Sequence, residues 1–269
     1  MASFLPVIAL TRGLDVLRVV NATRNATVAD IHRQTGLHRA TVVRMLETLE
    51  HAGYVMRRDG GKKYMPTGRV LLLANGFQAH DRVAQLAEPV LVELRQRIGW
   101  PSDVAIPDRD AMMIAATSRA FDNLLLNRRS GTRAPMLSSA LGRAYVAACS
   151  TPRLEEILGC LARSSEPFDR IATDRAAVDR ILQETRRRGY GTPDEAYSKA
   201  VYQSATSGFA VPVLANQEPV GSINLMFLTS TIRLQDAVTN FLPTLRRAAE
   251  RIGKAMESDL ADRANQGTK

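Results

Sequence analysis

One side of a predicted helix near the start of the chain carries groups that can contact DNA bases. The stretch GLHRATVVRMLETLEHAGYV, residues 36–55, has helical spacing. Its apolar side is formed by Val42, Met45, Leu46 and Leu49. Arg39, Thr41 and Arg44 lie largely on the other side, where arginine can bridge O6 and N7 of guanine and a threonine methyl can touch thymine. We predict that these three residues contact bases and that His38, at the helix start, contacts DNA or caps the helix.

Four cations lie close together in the next stretch, YVMRRDGGKKYMP, residues 54–66. Two runs with β propensity flank the sequence Asp-Gly-Gly, which is typical of a hairpin turn. The cations lie on both sides of that turn: Arg57, Arg58, Lys62 and Lys63. Cationic side chains bind phosphates with little dependence on base sequence. We therefore predict that the hairpin contacts phosphates across the adjacent minor groove.

Two shorter helices are predicted to position this helix and hairpin. The first has Leu10, Leu14 and Leu17 at the spacing of an amphipathic helix. The second follows Thr27 as its N-cap and ends at Gly36. Two helices, a glycine turn, a third helix and a basic hairpin, in this order, predict a winged helix-turn-helix.

The charge of the chain is concentrated near its start. The protein has 269 residues and a net charge of +9. Residues 1–80 hold 11 Lys+Arg against 5 Asp+Glu, and the remainder holds 25 against 22. This indicates a polyanionic partner, nucleic acid or an anionic membrane, although an arginine-rich surface is an alternative. Cations on a short hairpin favour DNA over a membrane surface and over a three-helix bundle with a solvated outer face.

Neither a membrane segment nor a secretion signal is recognisable in the sequence. No apolar run approaches the roughly 18 residues that span a bilayer, and no signal-peptide core with a cleavage site is present. We expect a cytoplasmic protein without a membrane partner. The only two cysteines, Cys149 and Cys160, are expected to be small buried residues and not part of a disulfide framework or a thiolate metal cage.

The rest of the chain predicts a connector and a larger α+β domain. Residues 67–98 have helical periodicity and few helix breakers. From Trp100 onward strands come first, including one at 123–129, then helices, then two strands and a final helix from about residue 235 to 262. This order predicts an α+β domain with an antiparallel sheet. The expected divisions are a winged helix-turn-helix domain at 1–66, connector helices at 67–98, an α+β domain at 99–262 and a flexible tail at 263–269.

Catalytic patterns are absent from the larger domain. All four histidines lie in the first eighty residues: His32, His38, His51 and His80. A Ser-His-Asp or Cys-His triad within the larger domain is therefore excluded, as are His-rich metal sites and common phosphate or nucleophile motifs. The acids Asp103, Asp108 and Asp110 are expected to be turn residues. We predict no enzyme, no cofactor and no metal, and a larger domain that senses a small ligand and forms oligomers.

At these residues the chain resembles the IclR-type bacterial transcriptional regulators. The family pattern TGL…TV.R.L.TLE..GYV stands here between Thr35 and Val55. The likeness continues in three further stretches: GTRAPMLSSALGRAYVA (131–147), GYG (189–191) and FAVPV (209–213). It covers nearly the whole chain. WPSDV (100–104) and RRRGYG (186–191) are similar to the subgroup that activates hydroxyphenylpropionate and related aromatic-acid catabolism.

The resemblance implies a GAF-like effector-binding domain with a pocket on one side of its sheet. The positions that match the family's pocket are Leu126, Ala134, Ala140, Leu141, Asp194, Asn224 and Met226. Asn224 and Met226 replace a Ser-x-Ser pair that is frequent in the family, which favours an effector larger and more apolar than a small keto acid. We predict an aromatic carboxylate held by Arg128 or Arg129. The alternatives are surface arginines with Met226 in the core, a small aliphatic keto acid, or a domain that only oligomerises.

The resemblance also implies the partners of the protein. Dimers form through the DNA-binding domains in this family, and tetramers often form through the effector domains. We expect a homodimer or tetramer on double-stranded operator DNA with half-sites about one helical turn or more apart. RNA polymerase is a candidate further partner. The sequence thus predicts a regulator whose DNA binding or promoter activation is controlled by a small organic acid.

Overall fold

The structure of the protein is a computed structural model that describes residues 4–74, 78–119 and 130–266, without the side chains of residues 78–81 and 263–266. The chain divides into two compact units, Met1–Gln78 and Ala79–Lys269. Each unit has its own apolar core.

The first unit contains three helices and a two-stranded hairpin. Its elements are α1 (Ile8–Ala22), α2 (Val28–Thr35), α3 (Arg39–His51), β1 (Val55–Arg58) and β2 (Lys63–Pro66). The predicted order of elements is confirmed. Thr27 and Asp30 form a reciprocal capping box at the start of α2, and the Thr27 hydrogen bonds lower the pKa of Asp30. Gly36 ends α2 in the left-handed conformation (φ +70°), which glycine adopts at little steric cost.

The buried side of α1 differs from the predicted one. Leu10 and Leu14 are 64% and 56% exposed, and only Leu17 of the predicted row is buried. The residues that pack with Ile31, Val42 and Leu46 are instead Val16, Leu17, Val19 and Val20. The predicted row was wrong because the buried residues of α1 all lie in its second half, and tertiary packing rather than periodicity decides this.

A short 3-10 helix follows the hairpin where the sequence predicted the first connector helix. It covers Gly68–Leu73, and Leu71, Leu72 and Leu73 are exposed. The long helix of the connector is confirmed as α4 (Gln78–Ile98), which continues through Pro89.

The second unit is built on an antiparallel sheet, as predicted, with five strands among the described residues. Its strands are β3 (Asp103–Asp108), β4 (Ala111–Thr117), β5 (Arg133–Pro135), β6 (Thr206–Ala215) and β7 (Glu218–Leu228), in the order β5-β4-β3-β7-β6. Its further helices are α5 (Ala140–Ala148), α6 (Thr151–Leu161), α7 (Arg175–Arg188), α8 (Glu195–Tyr202) and α9 (Leu234–Gln266), with a 3-10 helix at Pro167–Thr173. The sequence did not predict α8 or β5, and the strand predicted at 123–129 lies outside the described residues.

Helices cover both faces of this sheet. Val104 and Ile106 of β3 belong to a core shared with α4 and α9, whereas Ala105 between them belongs to a core shared with α5, α6 and α7. The alternation follows the period of two along a strand. Cys149 is buried and Cys160 half-buried, and both are free thiols. In the described part of the chain, no helix is both long and apolar enough to cross a membrane.

The close approach of α9 to β6 generates a stability prediction. A methyl group on Gly253 of α9 would clash with the carbonyl oxygen of Leu214. Gly253→Ala should therefore lower the free energy of unfolding by about 1–3 kcal/mol, because overpacking outweighs the better helix propensity of alanine. Urea denaturation of the full chain measures this change.

Gly159→Ala in α6 is the matched control. Its methyl group would meet nothing nearer than the Arg163 side chain at 3.9 Å. This substitution should stabilise the protein by up to about 1 kcal/mol. Equal effects of the two substitutions would contradict the packing of α9 described above.

Candidate DNA interface and ligand pocket

The turn before α3 is fixed by hydrogen bonds of two histidines. Nδ1 of His32 lies 2.7 Å from the carbonyl oxygen of Leu37, across the turn. Nδ1 of His38 accepts a hydrogen bond from the Ala40 amide at 3.4 Å and caps α3. Of the two roles predicted for His38, the structure thus displays the capping one.

The outer side of α3 presents two exposed arginines. Val42 and Leu46 are fully buried, while Arg39 and Arg44 are exposed and Thr41 is half-buried. Neither arginine forms an ion pair with any residue that the structure describes. Their guanidinium groups are accessible to a polyanion, and their five donors match the acceptors of guanine and phosphate.

The four hairpin cations differ in their partners. Arg57 is held by α3: its Nε donates to Glu50 at 2.8 Å, its Nη2 lies 3.8 Å from Glu47, and its guanidinium is 5.6 Å from the centroid of the Tyr64 ring. The hydrogen bond to Glu50 is the main cause of the raised pKa of Arg57. The Arg57 charge is therefore largely committed within the unit, where it fixes the hairpin to α3.

The three remaining cations lie nearer the hairpin tip. Nζ of Lys63 lies 2.9 Å from Asp59, and this pair lowers the pKa of Asp59. Arg58 and Lys62 are both exposed, and neither forms an ion pair within the described residues. Sequence reasoning treated the four cations as equivalent. It missed the Arg57–Glu50 pair because the two residues lie seven apart on two different elements, a helix and a strand.

The hairpin is also attached to the start of α2. The backbone amide of Tyr64 donates to the carbonyl oxygen of Ala26 at 2.9 Å, and the Tyr64 side chain is buried in the core of the first unit. Sequence reasoning missed Tyr64. The alternation of Lys63, Tyr64 and Met65 is consistent with a strand that buries its central residue.

A small ligand pocket lies in the second unit at the start of α5. Four of the predicted effector positions line it together: Ala140, Leu141, Asn224 and Met226. The enclosed space is about 20 Å³, enough for roughly one water molecule. The remaining walls come from α8, from β6, and from Ser139, Pro193 and Leu225.

Polar residues that sequence reasoning missed also line this pocket, among them Tyr197, Tyr202 and Thr206. Tyr197 and Tyr202 of α8 are buried, and their hydroxyl groups lie 3.2 Å apart. Oγ1 of Thr206 is buried without a hydrogen-bond partner in the described part of the chain. The sequence offers one hint of α8: Pro193 and Asp194 before Glu195 are typical of a helix start.

Other predicted effector positions lie elsewhere. Ala134 is buried in β5 and does not line the pocket. Asp194 caps α8 by accepting from the amides of Ala196 and Tyr197, and it pairs with Arg143 at 3.3 Å. Leu126, Arg128 and Arg129 lie outside the described residues.

Asp103 is not a turn residue, contrary to the sequence expectation. It is fully buried on β3, and Asp108 is the last residue of that strand, while Asp110 does lie in the β3–β4 turn. The Asp103 carboxylate accepts from Arg119, from Thr117 at 2.7 Å and from the side-chain amide of Asn224 at 3.2 Å. A buried carboxylate requires such partners, because desolvation of an isolated charge is costly. The sequence expectation was wrong because it assigned acids to the surface by default.

Asn224 therefore has a structural role as well as a place in the pocket. Its Oδ1 accepts from the backbone amide of Asp103 at 2.7 Å. Nη2 of Arg119 lies 3.0 Å from Sδ of Met226, the neighbouring pocket residue on β7. No group of three or more His, Cys, Asp or Glu that could hold a metal ion occurs among the described residues.

A winged helix-turn-helix with exposed arginines, followed by an α+β unit with an internal pocket, defines a DNA-binding transcriptional regulator. Family comparisons agree with this class. The IclR helix-turn-helix domain matches residues 9–59, and the C-terminal domain of the bacterial transcriptional regulator IclR matches residues 78–254. The chain belongs to the IclR family of bacterial transcriptional regulators.

Individual relatives support the same assignment. The chain is 27% identical over 216 residues to the HTH-type transcriptional regulator TsaQ1/TsaQ2 of Comamonas testosteroni, covering 80% of this chain and 74% of that protein. It is 25% identical over 250 residues to the transcriptional repressor IclR of Escherichia coli K12, covering 91% and 88%. An IclR homologue from Microbacterium hydrocarbonoxydans, complexed with 4-hydroxybenzoate, has a TM-score of 0.63 and 25% identity, covering 93% and 99%. These relatives are regulators of transcription, not enzymes.

The unequal pairing of the hairpin cations generates a prediction about salt dependence. Lys62→Ala should reduce the slope of log affinity for DNA against log salt by about one, because the variant releases one counterion fewer from the phosphates. Lys63→Ala should reduce the slope by less, since Asp59 already neutralises that ammonium group. Fluorescence anisotropy with duplex DNA at several salt concentrations measures both slopes. Equal slopes for the two variants would show that the Lys63–Asp59 pair opens on DNA.

Proposed function

We propose that Arg39, Thr41 and Arg44 contact base edges in the major groove, and that the hairpin contacts phosphates. The accessibility of both guanidinium groups on a helix whose other side is buried supports this assignment. Within the hairpin, Arg58 and Lys62 are the main phosphate contacts. Lys63 and Arg57 contribute once their carboxylate partners release them, and His38 contributes through the helix cap.

We propose further that the pocket at the start of α5 binds a small organic acid effector. The observation that carries this proposal is the convergence of Ala140 and Leu141, at the first turn of α5, with the hydroxyl groups of Tyr197, Tyr202 and Thr206. Amide groups at a helix N-terminus favour a carboxylate, and the hydroxyl groups can bind further oxygens. Asp194, which caps α8, and Ala134, in the strand that leads to α5, are further candidate contributors. Leu126 and Arg128 are candidates on the family resemblance.

An aromatic carboxylate is the effector class that we favour. Met226 and the tyrosine rings supply apolar and aromatic walls. The homologue complexed with 4-hydroxybenzoate offers a precedent in a relative. This class agrees with the proposed membership in the subgroup that controls aromatic-acid catabolism. Since about 20 Å³ does not admit a ring, ring binding requires the side chains of α8 to move.

The same small volume favours a second candidate, an aliphatic keto acid of two or three carbons. Such a ligand needs less rearrangement of Tyr197 and Tyr202. A second unit that serves only for oligomerisation is the remaining alternative, and it predicts no effector at all.

Homodimers through the DNA-binding unit are part of the proposal. Apolar residues at the start of the chain and on α1 are exposed: Phe4, Leu5, Val7, Ile8, Leu10 and Leu14. An exposed apolar patch of this kind is typical of an interface between protein chains. We propose further that dimers or tetramers act in the cytoplasm on an operator with two-fold symmetry. RNA polymerase is a candidate partner. The corresponding domains are the DNA-binding domain at 1–66, the connector at 67–98, the effector-binding domain at 99–262 and a tail at 263–269.

The base-contact assignment predicts a specific change in selectivity. Arg44→Ala should weaken operator binding by about 1–3 kcal/mol and relax the preference at one base pair. Lys62→Ala is the control, because removing a phosphate-binding group should weaken operator and random DNA equally. Binding selection from a randomised duplex pool measures both effects. A uniform decrease of affinity in the Arg44 variant would refute its role in base recognition.

The effector proposal predicts ligand-dependent stabilisation of the full chain. Benzoate and hydroxybenzoates should raise the melting temperature, because a ligand that binds only the folded state stabilises it. Glyoxylate and pyruvate should have a smaller effect. Ala140→Phe should abolish the shift by filling the pocket, and Arg163→Ala, just after the end of α6, is the control.

Each outcome of this panel discriminates between the candidates. A shift with glyoxylate or pyruvate alone would replace the aromatic effector by a keto acid. No shift with any acid would leave the second unit as an oligomerisation domain.

A further inference from the structure

A buried hydroxyl group in the pocket at the start of α5 has no hydrogen-bond partner in the part of the chain that the structure describes. It is Oγ1 of Thr206, a residue that is 7% exposed. A buried hydroxyl group normally makes at least one hydrogen bond, because burial without one is unfavourable. Since Thr206 also lines the pocket, its hydroxyl group is a candidate for contact with a ligand.

The side chain of Thr206 lies on the face of the sheet that carries the pocket. Side chains alternate between the two faces of a strand. In β6, Ala210 belongs to the core shared with α5, whereas Phe209 belongs to the core shared with α4 and α9. Thr206 lies four residues before Ala210 and shares its face, while Ser207 alternates to the other one. Asn224, another pocket residue, lies directly opposite Ala210 on β7.

Other polar side chains of the pocket already have hydrogen-bond partners. Oγ of Ser139 accepts from a backbone amide of α5 at 2.9 Å as the N-cap of that helix. The hydroxyl groups of Tyr197 and Tyr202 lie 3.2 Å apart. The side-chain amide of Asn224 is bonded to Asp103 through both Oδ1 and Nδ2. Thr206 therefore differs from these groups in what it can offer to a ligand.

Thr206 also has a fixed position. It is the first residue of β6, which pairs with β7 along its whole length. Tyr197 and Tyr202 instead belong to α8, whose side chains have to move for a ring to enter the pocket. A hydrogen-bonding group on a rigid strand is held more precisely than one on a mobile element, so Thr206 can discriminate between ligands by the position of one oxygen atom.

We propose that Thr206 is a specificity-determining residue of this pocket, and that its hydroxyl group binds a second oxygen of the effector, separate from the carboxylate. The inference rests on the proposed effector function of the pocket. It narrows the ligand class to acids that carry a hydroxyl or keto oxygen in addition to the carboxylate. The amide groups at the start of α5 bind the carboxylate itself.

The hydroxyl group of Thr206 selects against acids that lack the second oxygen. Such an acid leaves Oγ1 buried and unpaired, whereas an acid with the oxygen forms a hydrogen bond. A site that hydrogen-bonds a ligand oxygen rejects the analogue without it more strongly than an apolar wall distinguishes two ligands. Thr206 thus separates hydroxybenzoates from benzoate, and lactate from propionate.

Calorimetric titration of the full chain with matched pairs of acids tests this role. The pairs are benzoate with 3- and 4-hydroxybenzoate, and propionate with lactate. The wild-type chain should bind a hydroxy acid of at least one pair about tenfold more tightly than its parent acid. Thr206→Val, which replaces the hydroxyl group by a methyl group of similar size, should bring this ratio close to one without weakening the binding of the parent acid.

Two further variants control for indirect effects. Thr206→Ser retains the hydroxyl group and should retain most of the preference. Ser222→Ala removes another buried hydroxyl group that has no partner among the described residues, on β7 and outside the pocket, and should leave the ratio unchanged. Urea denaturation should show that Thr206→Val is at least as stable as the wild type, because the substitution breaks no hydrogen bond of Oγ1 within the described chain.

The outcomes separate this proposal from that of the pocket as a whole. A preference that Thr206→Val preserves, or that Ser222→Ala reduces equally, would overturn the role of Thr206 alone. Equal binding of parent and hydroxy acids by the wild-type chain would do the same and leave the effector pocket in place. Absence of binding of every acid would contradict the effector pocket and this inference with it.

Discussion

Helix α3 is buried on one side and exposed to solvent on the other, and the packing of the DNA-binding unit depends on this division. Val42 and Leu46 must be buried for the three helices to pack, so the helix cannot rotate to hide Arg39 or Arg44. The capped turn before it fixes its first residue, and the Arg57–Glu50 ion pair fixes the hairpin beside it. Burial on one side therefore sets the direction of the charged groups on the other.

The second unit depends on a buried charge. The Asp103 carboxylate on β3 accepts hydrogen bonds from Thr117, Arg119 and Asn224. Thr117 and Asn224 lie on the neighbouring strands β4 and β7, and Arg119 follows β4. Breaking such an arrangement at one partner leaves an uncompensated charge in the interior, which is far less favourable than the loss of one hydrogen bond. The network lies next to the pocket at the start of α5, because Asn224 belongs to both and Arg119 contacts Met226.

Local patterns in the sequence were sufficient to predict most helices and strands of the fold. The helix-turn-helix, the hairpin, the two large β-hairpins and the last helix follow from periodicity, capping and turn residues, which act over a few positions. The exposed Leu10 and Leu14, the buried Asp103 and the Arg57–Glu50 pair depend on partners distant in the chain. For the candidate site, the positions on α5 and β7 came from the family resemblance. Tyr197 and Tyr202 were missed because α8 is too short for a periodic pattern to stand out.

In the proposed DNA interface, Glu50 sets how much positive charge the hairpin can offer to phosphates. It neutralises one hairpin arginine, Arg57, through an ion pair between α3 and the hairpin. A substitution at Glu50 would therefore release the charge of Arg57 and at the same time loosen the attachment of the hairpin to α3. One acidic residue thus couples the charge of the hairpin to its position beside α3.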